Sequence, residues 1–429
     1  MKYAVMTFGC KVNQYESTVI EKAMTAAGFE RCEELSDADI VIINSCTVTD
    51  KGSRKASHAV AAAKKQSGGA IIVLTGCYPQ AYPDEAAASG AEIVAGTAKR
   101  GEIPRLVKEF LENGSCCADM TLPGKYEEQG LPDNSGRTRA FIKIQDGCDR
   151  YCSYCVIPYA RGRVRSRELA PIAGEARLCA DEGHREIVLV GINLSRYGSD
   201  IGADLADAVN AASQPESIAR VRLSSLEPDM MTDALIEKLA ACPKLCPHFH
   251  LSVQSGCDKT LKRMNRHYDT AEYMRVVDKL RKSFPDCAVT TDIMVGFAGE
   301  TDEEFAKSLE FARTAGFARI HVFTYSIRKG TAAAKLTGQV PESVKAERYR
   351  LMSETADTVY RDFLRMNTGK HYDVLIQKRT SPDFAEGLTP NYIPVRIYGS
   401  DAQRHDIITV GITGVEETHC VGEKLTIDN

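Results

Sequence analysis

Gly147-Cys148-Asp149-Arg150-Tyr151-Cys152-Ser153-Tyr154-Cys155 follows directly on the strand-like run Phe141–Ile144. A C-x3-C-x2-C triad in the loop after a strand places three thiols on the face where (β/α) barrels do chemistry. Three thiolates in one loop suit three irons of a four-iron, four-sulfur cluster and leave the fourth iron open to a ligand. The alternative is a zinc knuckle or chance thiols. Zinc ribbons, however, favour paired C-x2-C arms in a closed tetrahedral site, and no His completes this loop.

Outward from that strand, Ile187–Gly191, Val221–Ser224, Phe249–Val253, Val289–Val295 and Ile320–Thr324 continue the series, each separated from the next by a helical pattern. Six βα units over residues 137–368 fit an open or partial (β/α)6 barrel better than a flat sheet. A second alternating series fills residues 1–112, with strand signals at Tyr3–Phe8, Ile40–Asn44, Ile71–Thr75 and Glu92–Val94, and implies another parallel α/β sheet. Residues 113–136, punctuated by Gly and Pro, read as a linker. A long polar helix over Glu342–Met366 leads to residues 369–429. There Tyr372–Gln377, Tyr392–Tyr398, Ile407–Gly411 and Gly422–Ile427 read as the strands of a small antiparallel β-barrel.

Within the N-terminal series, Cys10, Cys46 and Cys77 each directly follow a predicted strand. In a parallel sheet those positions share one edge, outside which ligands of such folds bind, so three distant thiols can converge on one metal centre. The competing reading is that Cys is a common small hydrophobe at strand ends. Of the fifteen cysteines, the other nine, including the linker pair Cys116-Cys117, form no ligand set. Cys242 and Cys246 with His248 and His250 imitate a zinc arm, but lack a second one.

The 429 residues carry 54 Lys and Arg against 58 Asp and Glu, a net charge of −4, so a polyanion must be met by a local patch. Hydrophobic residues make up 43% with no run near the roughly 18 residues of a membrane span, which reads as a soluble, cytosolic chain without a membrane partner. In a reducing compartment, patterned cysteines point to metal or catalysis rather than disulfides. Arg161, Arg163, Arg165 and Arg167 alternate after the cysteine loop, and in extended chain would form a row of phosphate-binding forks. Lys370, Lys378, Arg379, Arg396 and Arg404 in the tail, with Tyr392 to stack on a base, suit a small RNA-binding barrel.

The runs Gly9-Cys10-Lys11-Val12-Asn13-Gln14-Tyr15-Glu16-Ser17, Asn44-Ser45-Cys46-Thr47-Val48-Thr49 and Gly76-Cys77-Tyr78, together with the cysteine loop, closely resemble the radical S-adenosylmethionine methylthiotransferases. The resemblance covers essentially the whole chain. Cys10 to Glu16, Gln145-Asp146-Gly147-Cys148 and Ile157-Pro158-Tyr159-Ala160-Arg161-Gly162 are similar to the branch acting on N6-threonylcarbamoyladenosine at position 37 of tRNA. Other branches act on isopentenyladenosine-37 or on a ribosomal-protein side chain, and both stand as alternatives. A non-catalytic Fe–S or zinc RNA-binding protein is a more distant one. The resemblance implies a flavodoxin-like N-terminal domain, a partial TIM-type radical domain and a C-terminal TRAM barrel.

It further implies two [4Fe–4S] clusters, one on Cys148, Cys152 and Cys155 and an auxiliary one on Cys10, Cys46 and Cys77. S-adenosylmethionine would serve as both radical source and methyl donor, and flavodoxin or ferredoxin as electron donor. The implied reaction removes hydrogen from C2 of the adenine and couples a methylated sulfur there. Tyr154, Asn193, Glu227, Gln254 and Ser255, mostly at βα junctions, are expected cofactor contacts by the same analogy; as junction residues they also suit turn and cap roles. Ala298 stands where the family pattern has Pro, and Pro79 where Ala is commoner, changes that bear on loop rigidity rather than chemistry.

Overall fold

The apolar run Ile40-Val41-Ile42-Ile43 is wholly buried at the centre of the first sheet, as expected of a parallel strand covered on both faces. The computed structural model describes every residue except 48, 49, 99, 117–119, 135, 382 and 426–429, and gives only the backbone for 50–55, 380 and 381. Val48, Thr49, Cys117 and Ile427, which belong to readings above, thus lie outside the described residues.

Strands β1 (Lys2–Thr7), β2 (Glu30–Arg31), β3 (Ile40–Ser45), β4 (Ile71–Gly76) and β5 (Ile93–Val94) form a parallel sheet in the order β2-β1-β3-β4-β5. That is the flavodoxin-like order. Val41, Ile43, Ile72 and Leu74 pack on helix Asp50–Gln66 through Ala56, Ala59, Val60 and Ala63. On the other face Ile40, Ile42 and Val73 meet Ile20 and Met24 of helix Lys11–Ala26 and Leu106 and Val107 of helix Ile103–Asn113.

The second unit begins at β6 (Arg139–Lys143), followed by the short antiparallel ribbon β7 (Gln145–Asp146) and β8 (Arg165–Ser166), which brackets the cysteine loop. Then come β9 (Glu186–Val190), β10 (Arg220–Leu223) continuing as β11 (Ser225–Leu226), β12 (His248–Leu251), β13 (Ala288–Val295) and β14 (Arg319–Thr324). All of these pair in parallel with their neighbours, giving two curved sheets, β6-β9-β10 and β11-β12-β13-β14, joined through the β10–β11 strand. The helices cover the outside through Ile142, Leu189, Val221, Phe249, Val289 and Ile320. The open side receives helix Lys11–Ala26, whose Val12, Tyr15 and Val19 pack on Phe141, Val188 and Val190.

Helix Glu342–Arg365 leads to a closed five-stranded barrel in the order β15-β16-β17-β19-β18. Its strands are β15 (His371–Ser381), β16 (Phe384–Leu388), β17 (Pro394–Tyr398), β18 (Ile407–Glu416) and β19 (His419–Lys424). All pairings are antiparallel save the parallel β17–β19 pair. This barrel plugs the amino-terminal end of the larger one. Arg220 donates to the Leu388 carbonyl at 2.8 Å and Arg222 to that of Pro390 at 2.8 Å, while Asn391 donates to Asp286 O at 3.1 Å. Among the described residues no helix is long and apolar enough to cross a membrane.

Candidate functional site

Residues 147–164 are held as a loop because both ends are pinned in the β7–β8 ribbon, where Gln145 faces Ser166 and Asp146 faces Arg165. Cys148, Cys152 and Cys155 are partly exposed along it. Burial pushes the Cys148 thiol up and does so more strongly for Cys155, so ionising them needs a strong local cation. Arg266 lies 3.4 Å from Cys152 Sγ through Nη1, and Asn193 Nδ2 lies 3.9 Å from Cys148 Sγ. Tyr154, Cys155 and Gln254 line one cavity together with Asp292, Met294, Tyr325 and Arg328. Glu227 pairs with Arg266 at 2.9 Å at the edge of the same loop.

Asn193 Oδ1 is buried with no hydrogen-bond partner among the described residues. An orphaned acceptor beside three thiols fits a ligand that brings ammonium or hydroxyl donors. Four of the five expected cofactor contacts therefore sit around the loop or its cavity. Ser255 does not: its hydroxyl meets Ser308 Oγ at 3.1 Å and accepts from Cys257 N at 3.2 Å, so it closes a turn. Arg266, Asp292 and Arg328 escape the sequence reading because no motif surrounds them.

The second triad is assembled by the sheet. Cys10 and Cys46 follow β1 and β3, and Cys77 opens the short helix Cys77–Ala81 after β4, three neighbouring strands ending at one edge. Asn13 laces two of those ends together, donating to Phe8 O and Ser45 O at 2.9 Å each. Gly9 has φ +109°, and a Cβ there would lie 2.8 Å from Cys46 Sγ; one at Gly76 would lie 2.4 Å from Ser45 O. Only glycine lets the backbone approach this closely. Both triads thus fit a metal–sulfide cluster by donor chemistry and cradle. Cys242 and Cys246 are simply buried, the former donating to Asn210 Oδ1 at 3.2 Å.

Between the triads lies a buried charge network. Arg161 donates from Nε to Cys77 Sγ at 3.2 Å, from Nη1 to Glu16 at 2.9 Å and Asp146 at 3.0 Å, and from Nη2 to Asn13 Oδ1 at 2.9 Å. Lys143 reaches Glu16 at 2.7 Å and Asp146 at 2.6 Å, Arg100 reaches Glu16 at 3.0 Å, and Arg165 lies 3.7 Å from Asp146. Burial would raise Glu16, but Arg100, Arg161 and Lys143 outweigh it and hold the carboxyl at about 2. Lys143 and Arg161 likewise overcome burial at Asp146 and hold it far below the usual range. Four cations face two carboxylates, a positive surplus that fits an anionic group held by Cys77.

The expected row of phosphate-binding arginines does not form. Arg161 ends the helix Ile157–Arg161 rather than lying in extended chain, Arg165 is buried, and Arg167 is consumed by Glu128 at 2.7 Å and by Glu175. Arg163 alone of the four is exposed. In the tail, Lys378 and Arg396 share Glu386, and Lys370 pairs with Asp286. Tyr392 stacks on His248 at 4.7 Å between ring centroids instead of facing solvent.

A model of the radical SAM superfamily matches residues 142–312, and one described as uncharacterized protein family UPF0004 matches residues 2–96. The chain is 37% identical to the threonylcarbamoyladenosine tRNA methylthiotransferase MtaB of Thermotoga maritima, over 92% of this chain and 91% of that one. It is 36% identical to the Bacillus subtilis protein of the same name, covering 95% and 93%. A tRNA-2-methylthio-N(6)-dimethylallyladenosine synthase of Clostridium botulinum is 32% identical over 99% and 97%. Among solved structures, the radical S-adenosylmethionine methyltransferase TsrM of Kitasatospora setae superposes with a TM-score of 0.54 at 15% identity, covering 75% and 74%, a likeness of fold.

Proposed function

The chain belongs to the radical S-adenosylmethionine methylthiotransferases, and from that premise we propose that it converts N6-threonylcarbamoyladenosine at position 37 of tRNA to its 2-methylthio derivative. The observation that carries this reading is Arg161. It follows the cysteine loop of one unit and donates to Cys77 of the other, so one residue ties the element that carries the first triad to the second triad. Insertion of sulfur at a carbon needs the site that removes hydrogen and the site that delivers sulfur to serve one atom, and a shared wall supplies that proximity.

In this reading Cys148, Cys152 and Cys155 hold one four-iron cluster and Cys10, Cys46 and Cys77 an auxiliary one. The first cluster, with S-adenosylmethionine bound, supplies the one-electron chemistry needed to break an unactivated C–H bond. Asn193 and Glu227 orient the cofactor's polar groups beside Cys148, while Tyr154 and Gln254 line the cavity below. Arg266 keeps a positive charge 3.4 Å from Cys152 Sγ. Arg161 does the same for Cys77. S-adenosylmethionine serves as methyl donor too, and a small flavodoxin or ferredoxin supplies electrons in the cytoplasm.

Along the segment between β7 and β8, Tyr151 and Tyr159 are 51% and 55% exposed and meet edge to face at 6.0 Å, a surface suited to stacking splayed loop bases. The 37% and 36% identities to enzymes named for threonylcarbamoyladenosine support that substrate over the dimethylallyl one. The test is nucleoside mass spectrometry of tRNA from cells lacking the gene and from the complemented strain. The expected change is confined to 2-methylthio-threonylcarbamoyladenosine. A loss confined to the dimethylallyl nucleoside, or to a modified ribosomal protein, would overturn the substrate while leaving the chemistry.

A further inference from the structure

Beneath the cysteine-lined cavity the barrel interior carries an unbalanced positive charge. Since Val221, Phe249, Leu251, Ile293 and Ile320 face the outer helices, their alternates point into the lumen. A continuous polar path runs down it. Asp292 lines the cavity beside Cys155 and pairs with His250 at 3.2 Å, and the His250 ring lies 5.8 Å from that of His321. At the floor, Arg139 and Arg222 lie 5.3 and 4.8 Å over the ring of Tyr392, which stacks on His248.

Lys11 opens helix Lys11–Ala26, whose Val12 packs on Phe141, Val188 and Val190 at the open side of the larger barrel, and its charge acts on Tyr392, His248 and His321. Among the described residues it makes no hydrogen bond and no ion pair. His248 is 6% exposed, and its Nδ1 also has no partner. The nearby carboxylates are already taken, Glu186 by Arg220 and Arg222 and Asp292 by His250. Burial pushes the Tyr392 phenol up, yet Arg139 and Lys11 outweigh it and bring it below its ordinary value, which registers the same positive field.

We propose that the lumen floor is an anion site that takes the carboxylate of the nucleoside's N6 substituent, with Lys11 as the residue that selects it. This rests on the threonylcarbamoyladenosine reading. The threonylcarbamoyl group ends in a carboxylate on a urea-linked arm, whereas a dimethylallyl group offers no charge. A cation on this wall discriminates because only the acid supplies it with a counter-charge.

The experiment uses the full-length protein with its clusters loaded and three tRNAs, bearing at position 37 threonylcarbamoyladenosine, its methyl ester, or dimethylallyladenosine. Equilibrium binding is measured by fluorescence anisotropy and product by nucleoside mass spectrometry. Wild-type protein should bind the acid roughly tenfold or more tighter than the ester, the range of one charge-assisted hydrogen bond. Lys11→Met should bring that ratio to within about twofold, and Lys11→Arg should keep most of it. Because Lys11 adjoins Cys10, iron content is checked alongside, and His248→Phe, which keeps a ring against Tyr392, should lower the ratio independently. Undiminished discrimination in both Lys11→Met and His248→Phe overturns the anion site and leaves the substrate reading standing. The same holds if wild-type protein modifies the acid yet binds acid and ester equally. Modification of the dimethylallyl tRNA alone overturns the substrate reading and the anion site together.

Discussion

Cys148, Cys152 and Cys155 are gathered by one loop between β7 and β8, whereas Cys10, Cys46 and Cys77 are gathered only because β1, β3 and β4 lie side by side. The first triad is therefore specified locally, and short spacing alone announces it. The second depends on register: Thr7 faces Asn44, and Ser45 faces Gly76. A slip of one residue would move a cysteine by about 3.3 Å and turn its side chain to the other face. One site survives as long as its loop does; the other is only as sound as the sheet.

The contrast can be broken most severely by replacing Cys148, Cys152 and Cys155 together with Ala. Cleavage of S-adenosylmethionine to 5′-deoxyadenosine should cease, and iron content should fall by about half while the other triad keeps its share. Retained cleavage would refute the assignment of the loop. Next in size, Cys46→Ala should leave 5′-deoxyadenosine formation measurable but eliminate the methylthio nucleoside; product formation at the wild-type level would show that sulfur delivery does not need the sheet edge.

A third variant acts on the wall shared by the triads. Arg161→Met leaves Glu16 and Asp146 short of a buried partner, and loss of one member of such a network costs about 3–5 kcal/mol. Denaturant midpoints should drop accordingly, and iron held by the sheet-edge triad should be lost before iron held by the loop. Acid gives the smallest effect. Glu16 and Glu186 are both held at about 2 against an ordinary 4.5, Glu186 because Arg222 and Arg220 outweigh its burial. A depressed carboxyl stabilises the fold fully above the unfolded value and loses that contribution as pH falls through the folded one. Stability should therefore decline between about pH 4.5 and 2, by on the order of 3 kcal/mol for each group. Glu16→Gln should flatten its share of that decline in pH-dependent urea titrations. An unchanged slope would mean that Glu16 is not paired in solution.

What the sequence revealed follows from the same distinction between local and long-range encoding. Ile40–Ile43 is apolar and β-branched and Val289–Val295 is rich in β-branched residues, so their strands are legible, and the helical patterns between them imply parallel pairing. β2 and β16 escape notice because Glu30-Arg31 and Phe384-Ala385-Glu386-Gly387-Leu388 have little β propensity and are held by their neighbours in the sheet. The arginine row misleads for a related reason. Charge on a sequence does not say whether its counter-charge is water or a carboxylate 145 residues away, as Glu16 is for Arg161. Tyr392 errs the same way, spent on a partner in a distant element. Asn13, by contrast, sits in a motif read from the start, and its lacing of two strand ends gives that motif a structural purpose.

The tail barrel's grip on Arg220 and Arg222 bears on how the protein is made. The carbonyls of Leu388, Thr389 and Pro390 that receive those guanidinium groups emerge from the ribosome well after β14, by on the order of seconds at ordinary elongation rates. Until then the nascent barrel has an open end, with the ion pairs around Glu186 exposed to water and Tyr392 not yet seated on His248. A chain truncated before the tail is thus an unsealed vessel, and quality control has something to recognise in it. Completion of translation, rather than the arrival of iron, is the event that closes the lumen.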